Sequence, residues 1–261
     1  MLNKIIYRLV FSCVAFTAGC SAENNLSGTK QNYEKKVTET ILIHMDLETM
    51  FPSDKLRELA KAAGKGQLAT VDKLVQDGVD VNAKGRENAT ALFWSMRNEK
   101  GFNHLLKLGA NPNVVFGDGS SVMHWAARKS ECSLLKTALS YGGNPNLKAG
   151  LFGGSPAFNT ITAGKNTGVP DCLKLLLRNN ADIEFRDENG KTLLLRAAAL
   201  GRYDIVLFLL GEGASSNVKD LKGRTLRTIL SEDKDAFLKG SVTQINWFKV
   251  KEWLDKNNQE Q

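Results

Sequence analysis

Apolar residues recur in this chain seven, four and three positions before a Gly or an Asn, in five successive sets: Val71, Leu74 and Val75; Phe102, Leu105 and Leu106; Leu135, Ala138 and Leu139; Leu173, Leu176 and Leu177; Val206, Leu209 and Leu210. Spacings of three and four put such residues on one side of a helix, so each set predicts an amphipathic helix with a single apolar stripe. Every stripe ends at the same kind of residue: Gly78, Gly109, Gly142, Asn180 or Gly213. These residue types adopt the left-handed conformation that stops a helix and lets the chain turn. The stops lie 31, 33, 38 and 33 residues apart, and a hydroxyl residue recurs in phase with them at Thr90, Ser121, Ser155, Thr192 and Thr225, where a further helix is expected to open each unit. A lone pair of short helices cannot bury such a stripe, so the units must stack on one another.

The pattern also varies. The fourth unit is lengthened by Ala163 to Asp171, rich in Gly, Asn and Pro, which is expected to bulge between its two helices. The second unit carries Trp94, Ser95 and Met96 where others have a pair of small residues, so its inner helix is expected to be bulkier and displaced. Ser53 or Asp54 is placed to cap a helix starting at Leu56. After Thr225 the period fades, and residues 231–261 read as a capping segment whose helix lays Trp247, Phe248 and Trp253 against the last repeat. The expected organisation is a signal segment over 1–19, a polar tether over 20–36, an N-terminal capping segment over 37–55, repeats over 56–230 and the C-terminal cap.

The phrases that carry the period, SVMHWAA from Ser121, SPAF from Ser155, TLLLRAA from Thr192 and GVDVNAKG from Gly78, resemble the ankyrin repeat, whose unit opens T-P-L-H-x-A-A and exits G-A-D-V-N. The period of about 33 residues agrees. The resemblance implies an all-α solenoid of stacked helix pairs with β-hairpin fingers and a helical C-terminal cap. It also implies that His124 joins a hydrogen-bond network between repeats, and that partners bind a concave face made of the fingers and the ends of the inner helices. Those helix ends are Gly64 and Lys65, Arg97 and Asn98, Arg128 and Lys129, Thr162 and Ala163, and Ala199 and Leu200, basic in the first three layers and small or apolar in the last two. The fingers are expected to hold Phe116, Leu151, Phe152, Phe185 and Leu221 at or near their tips, where solvation alone would favour polar residues. Apolar tips beside Arg suit a protein interface.

The N-terminus alters where this occurs. Lys4 and Arg8 precede an apolar run from Leu9 to Ala18, too short to span a bilayer as a helix, which needs about 20 apolar residues. Ala18, Gly19 and Cys20 resemble the bacterial lipoprotein box, apart from Thr17 where an aliphatic residue is usual, and Ser21 resembles the sorting pattern for the outer membrane. Cys20 is therefore expected to carry lipid, with plain cleavage and release into the periplasm as the alternative. Met45 and Met50 lie between tether and repeats, where a second start would give a cytosolic form. Cys132 and Cys172 remain as thiols in an oxidising compartment; with no CxxC and no zinc spacing, each is expected to stand alone, a bridge being the less favoured reading.

Composition excludes more than it selects. The 261 residues are 42% hydrophobic and 24% charged, as in an ordinary globular protein, and the net charge is +7. Such charge permits nucleic acid, anionic lipid or an acidic protein as partner, but the expected location separates the chain from nucleic acid. The sequence contains three His, with His104 expected to be solvated on a helix flank, and holds no nucleophile elbow, P-loop, zincin or dinucleotide motif. The Gly-rich stretch from Ala149 to Pro156 lacks the Lys of a phosphate loop. No cofactor, metal or catalytic residue is expected. The function expected is protein binding by a monomer that forms a heterodimeric complex. The nearest functional class by resemblance is an immunity protein that neutralises a secreted phospholipase effector of the type VI system; an envelope scaffold or stress protein is the alternative.

Overall fold

The computed structural model describes residues 45–150, 153–161, 168–233 and 237–257. A short helix, α1 (Leu47–Met50), leads into helix pairs. The inner helices are α2 (Asp54–Lys65), α4 (Ala91–Ser95), α6 (Val122–Ala127), α9 (Leu193–Ala199) and α11 (Leu226–Glu232). The outer helices are α3 (Leu68–Gln76), α5 (Glu99–Lys107), α7 (Ser133–Ser140), α8 (Asp171–Arg178), α10 (Tyr203–Gly211) and α12 (Val242–Asn257). In the fourth unit the inner element is a 3-10 segment, Pro156–Thr160, rather than an α-helix. Asn159 and Thr160 are weak helix formers, which disfavours extension of the turn into an α-helix. The residues at 162–167, which include most of the expected bulge, lie outside the described residues.

The apolar stripes are buried as their spacing requires. At seven and four residues before each exit the side chains of Val71, Leu74, Phe102, Leu105, Leu135, Ala138, Leu173, Leu176, Val206 and Leu209 are buried. Three residues before it, Leu106 and Leu210 are buried while Val75, Leu139 and Leu177 sit at the rim of the core. Gly78, Gly109, Gly142, Asn180 and Gly213 all have positive φ, from 63° to 91°. In each case the following N–H reaches back to the helix, as from Val79 to the Leu74 carbonyl at 3.0 Å and from Ala110 to that of Leu105 at 2.9 Å. This is the hydrogen-bonded helix stop for which Gly is selected.

The two polar residues that follow each stop have separate tasks. The side chains of Asp80, Asn111, Asn144 and Asp182 accept the N–H two residues ahead, at 2.8 to 2.9 Å, and shape the turn. Two residues later comes a ladder between layers. The Asn82 amide donates to the Gly109 carbonyl at 3.0 Å and accepts from the Asn111 N–H at 2.7 Å. Asn113 does the same to Gly142 and Asn144, and Asn146 to Asn180 and Asp182. Glu184 ends the row, its carboxylate accepting from the Ser215 N–H at 2.6 Å.

Thr90, Ser121, Thr192 and Thr225 cap their helices by accepting the N–H three residues on. Ser155 caps nothing, and its buried hydroxyl has no protein partner. Ser53 flanks α2 without a side-chain cap, and that helix begins at Asp54, ahead of the expected start at Leu56. In the second unit α4 is shortened, and Ser95 is buried with its hydroxyl turned back to the Leu92 carbonyl at 2.7 Å. The fingers contain no strands among the described residues. Single antiparallel bridges, Lys84 to Thr90 and Val115 to Ser121, stand in place of the expected hairpins.

Cys132 and Cys172 form a disulfide with their Cα atoms 5.4 Å apart, which corrects the expectation of lone thiols. Cys132 flanks the start of α7 and Cys172 lies in the first turn of α8, so the two occupy nearly the same place in successive layers. Nearby, the buried Arg202 guanidinium is held by both carboxylate oxygens of Asp204 at 2.8 and 2.9 Å and donates to the Gly168 carbonyl at 2.8 Å. Such a pair is tolerable in the interior because its donors find acceptors. The last layer pairs α11 with α12. Trp247, Val250 and Leu254 are its buried residues, the Trp247 indole donating to the Leu230 carbonyl at 3.1 Å, and Trp253 is half-buried. Phe248 is 55% exposed and faces away from the core, contrary to the expectation.

Candidate protein-binding face

The inner helices end in side chains that repeat in register. In α4 and just beyond it, Trp94 and Arg97 are one turn apart, and the Arg97 guanidinium lies 3.7 Å over the Trp94 ring while donating to the Trp94 carbonyl at 3.0 Å. The pairing returns more loosely one unit later, with the Arg128 guanidinium 5.9 Å from the Trp125 ring centre. Both indoles are half-buried and both Arg side chains exposed. Partial burial lowers the Arg97 pKa from its ordinary value, but an Arg remains a cation at any working pH. Gly64 makes room for the first indole, since a Cβ there would come within 2.8 Å of the Trp94 ring. The second indole donates to the Ser120 hydroxyl at 2.9 Å, and that hydroxyl bonds Asp118 at 2.6 Å.

The other expected helix-end residues divide by role. Lys65 is exposed. Asn98 caps α5 by accepting the Gly101 N–H at 3.1 Å, a structural task. Lys129 is exposed, and its ammonium donates to the Met96 carbonyl of the preceding unit at 3.4 Å. The last layers are not uniformly small or apolar on this side: Arg196 of α9 stands at the position of Trp94 and Trp125 in the repeat, near Lys191 and Arg224. Burial and then these two cations lower the Lys191 pKa. Sequence reasoning took Trp94 only as bulk in its helix and passed over Trp125 and Arg196, because it looked past the small-residue pair and not at the residue before it.

The finger residues fare differently from the expectation. Phe116 is 2% exposed and packs against Phe93, the rings tilted at 60° with centres 4.9 Å apart. Its N–H bonds the Ser120 carbonyl, as that of Asp187 bonds Lys191 and that of Asp220 bonds Arg224. Phe116 thus occupies the inward position of a finger turn that two other units give to a buried Asp. Burial pushes the Asp220 carboxyl up, yet the N–H groups of Arg224 and Lys222 and the Arg224 guanidinium outweigh it and hold the pKa below its ordinary value. Phe185 is half-buried, edge-on to Phe158 at 6.4 Å. Leu221 is 78% exposed at a tip. Leu151, Phe152 and Cys20 lie outside the described residues.

The two histidines among the described residues, His104 and His124, serve packing. His124 is fully buried; one ring nitrogen lies 2.7 Å from the Ser121 hydroxyl and the other 3.1 Å from the Gly154 carbonyl of the next unit. A carbonyl only accepts, so Nε2 carries the proton and Nδ1 accepts from Ser121. Burial lowers the His124 pKa, keeping the ring neutral. His104 is not solvated as expected: its Nε2 lies 2.6 Å from the Asp72 carboxylate on the neighbouring outer helix. Among the described residues no cluster of His, Cys, Asp and Glu could hold a metal ion, and no helix is long and apolar enough to cross a membrane.

A second surface lies at the end of the stack. Leu238, Val242, Ile245 and Phe248 are all exposed, the last three along one side of α12, with Lys239 and Lys249 beside them. A terminal unit usually presents a polar outer side.

Residues 123–220 match the family described as ankyrin repeats in three copies. Among curated proteins, the chain is 27% identical over 201 residues to the putative palmitoyltransferase ZDHHC13 of Danio rerio, covering 64% of this chain and 31% of that protein. It is 32% identical over 117 residues to the SH3 and multiple ankyrin repeat domains protein 2 of Homo sapiens, covering 45% of this chain and 6% of the relative. The chain thus spans about a third or less of these relatives. Among solved structures, an ankyrin repeat domain from Acinetobacter baumannii superposes with a TM-score of 0.59 at 21% identity, covering 67% of this chain and 91% of that one. A second ankyrin repeat protein gives 0.59 at 25% identity, with 70% and 94% covered. Matched in sequence over residues 123–220 and in architecture along most of the described chain, the protein carries ankyrin repeats and has the ankyrin-repeat fold.

Proposed function

We propose that the chain is an envelope lipoprotein, anchored through Cys20 to the outer membrane, which acts as an immunity protein by binding and neutralising a secreted antibacterial phospholipase in the periplasm. The observation that carries the binding part is the pair of Arg-over-Trp contacts, close for Arg97 on Trp94 and looser for Arg128 over Trp125, in register on the inner side. Arg and Trp dominate the energy of protein interfaces, and side chains already fixed lose little freedom on binding. The Cys132 to Cys172 disulfide supports export, since such bonds persist in oxidising compartments. Inhibition of a toxin requires a surface and no chemistry of its own.

The test pairs the protein with a secreted phospholipase encoded beside it. The parent should be co-purified with that enzyme and protect cells exposed to it, and Arg97→Glu with Arg128→Glu should weaken both effects in a salt-sensitive way. Cys20→Ala should abolish lipidation and membrane partition. Failure of the parent to bind or protect would reject the immunity reading. The exposed apolar side of α12 favours a second reading, an envelope scaffold that joins two partners; it would stand if the protein captures envelope proteins through both surfaces and no effector.

A further inference from the structure

The inner side bears cations at a spacing that a particular peptide conformation can match. Arg97 and Arg128 hold the same place in successive units, and Lys65 lies one position beyond the corresponding place in the unit before, where Gly64 leaves space for the Trp94 ring. Packed helices lie about 8–10 Å apart, so equivalent positions in neighbouring layers are separated by about that distance. A β-strand rises about 3.3 Å per residue and alternates its side chains, so residues about 10 Å apart along it face opposite ways. A polyproline II helix has three residues per turn and a rise of about 3.1 Å, so every third side chain returns to the same side after about 9 Å. Only the second geometry presents one side chain to each layer.

The neighbouring chemistry agrees. The Arg97 guanidinium lies flat over its indole and spends one N–H group on the Trp94 carbonyl, while that of Arg128 sits more loosely above Trp125, so each keeps N–H groups for hydrogen bonds to a carboxylate. The half-buried indoles are platforms of the kind on which Pro-rich segments dock. Of the acidic residues that follow Arg97 and Arg128 in sequence, Glu99 opens α5 and is engaged by the Ser133 hydroxyl, and Glu131 lies in the bend before α7. The cations are therefore available to a ligand.

We propose that the inner side binds an extended, polyproline II segment of a partner protein with acidic residues at every third position, seated on Lys65, Arg97 and Arg128, and with its intervening residues against Trp94 and Trp125. The proposal rests on the reading of this side as a protein-binding face and defines the motif that it recognises. Specificity comes from the match of one peptide turn to one repeat, which a featureless polyanion lacks.

The experiment uses the full chain without its lipid and synthetic peptides of about 12 residues that carry three Glu at spacings of two, three or four, with Pro or Ala between them. Binding is read by Trp fluorescence and calorimetry. The expected result is tightest binding at a spacing of three, improved by Pro over Ala, and weakened about tenfold by Arg97→Gln or by Arg128→Gln with the fold unchanged by circular dichroism. Trp94→Phe and Trp125→Phe should each remove part of the fluorescence response at a spacing of three, and together most of it. Equal affinity at all spacings overturns the proposal, as does tighter binding of a dT oligomer or heparin, which would make the side a general polyanion site. Absence of peptide binding also overturns it. If a neighbouring effector is still captured by the protein in that case, the binding face stands and only the motif falls; if nothing is captured, the binding reading falls with it.

Discussion

Reduction of the Cys132 to Cys172 disulfide should loosen the molecule in the middle. The bond closes a loop with a sequence separation of 40. In the chain-entropy account, a closed loop of that size removes about 4 kcal/mol of freedom from the unfolded state. The effect should concentrate at the join between the third and fourth layers, since the fourth has a 3-10 segment in place of an inner helix and an uncapped, unpaired Ser155. Stability in a stacked array is a sum over units and their interfaces, so a weak unit is where cooperativity breaks first. Urea titration with and without reductant provides the assay. At a slope of about 2 kcal/mol/M, a loss of this size moves the midpoint by about 2 M. Trp94 and Trp125 precede the join while Trp247 and Trp253 follow it, so variants retaining one pair or the other report on each side separately. The oxidised protein should show coincident transitions, and the reduced protein should split, with the two sides melting apart. Identical curves in both states would refute the reasoning, and free thiols in the untreated unfolded protein would refute the bond itself.

Three further outcomes follow from single positions. A Cβ on Gly101 would lie 1.9 Å from the Ala63 carbonyl oxygen where α5 crosses α2, so Gly101→Ala should destabilise by about 1 to 3 kcal/mol through backbone displacement, read as a lowered urea midpoint. Phe116→Ala should cost about 3 to 5 kcal/mol of stability by emptying the space against Phe93, and, once folded, the variant should bind a partner as the parent does. The His124 ring has a folded pKa below its unfolded value of about 6.5, so its contribution is whole above that value and is lost as pH falls toward the folded pKa, by up to about 1.4 kcal/mol per pH unit. Thermal melts between pH 7.5 and 5 should show this slope, and His124→Asn should flatten it.

Much of the fold was legible because helix stops are local. Gly and Asn at left-handed positions, and hydroxyls at helix starts, announce themselves without reference to distant residues. The ladder was present in the text as the second Asn of GANPN and GGNPN, but its partners sit 27 to 36 residues away, so periodicity revealed its presence and not its purpose. The disulfide was within reach of the same reasoning. Its cysteines are 40 residues apart, close to the 38 that separate the neighbouring stops, which sets them side by side in adjacent layers. Phe116 misled because loops were read as solvated; the finger turn directs that side chain inward, as Asp187 and Asp220 show in other units. The indole platforms were missed for the opposite reason, since Trp in a helix reads as core unless its neighbours in the stack are known.

The Asn ladder also has a direction. Every rung is supplied by an earlier unit and received by a later one, the amide of Asn82 waiting for Gly109 and Asn111, that of Asn113 for Gly142 and Asn144, and that of Asn146 for Asn180 and Asp182. A chain that emerges amino end first can therefore lock each layer only after the next exit turn has appeared, and assembly trails elongation by one repeat. A growing chain halted at Gly142 would hold Asn82 already satisfied and Asn113 half-made. The nascent protein thus carries a single open rung at its growing tip, which travels along the solenoid until Glu184, unable to donate, closes the series.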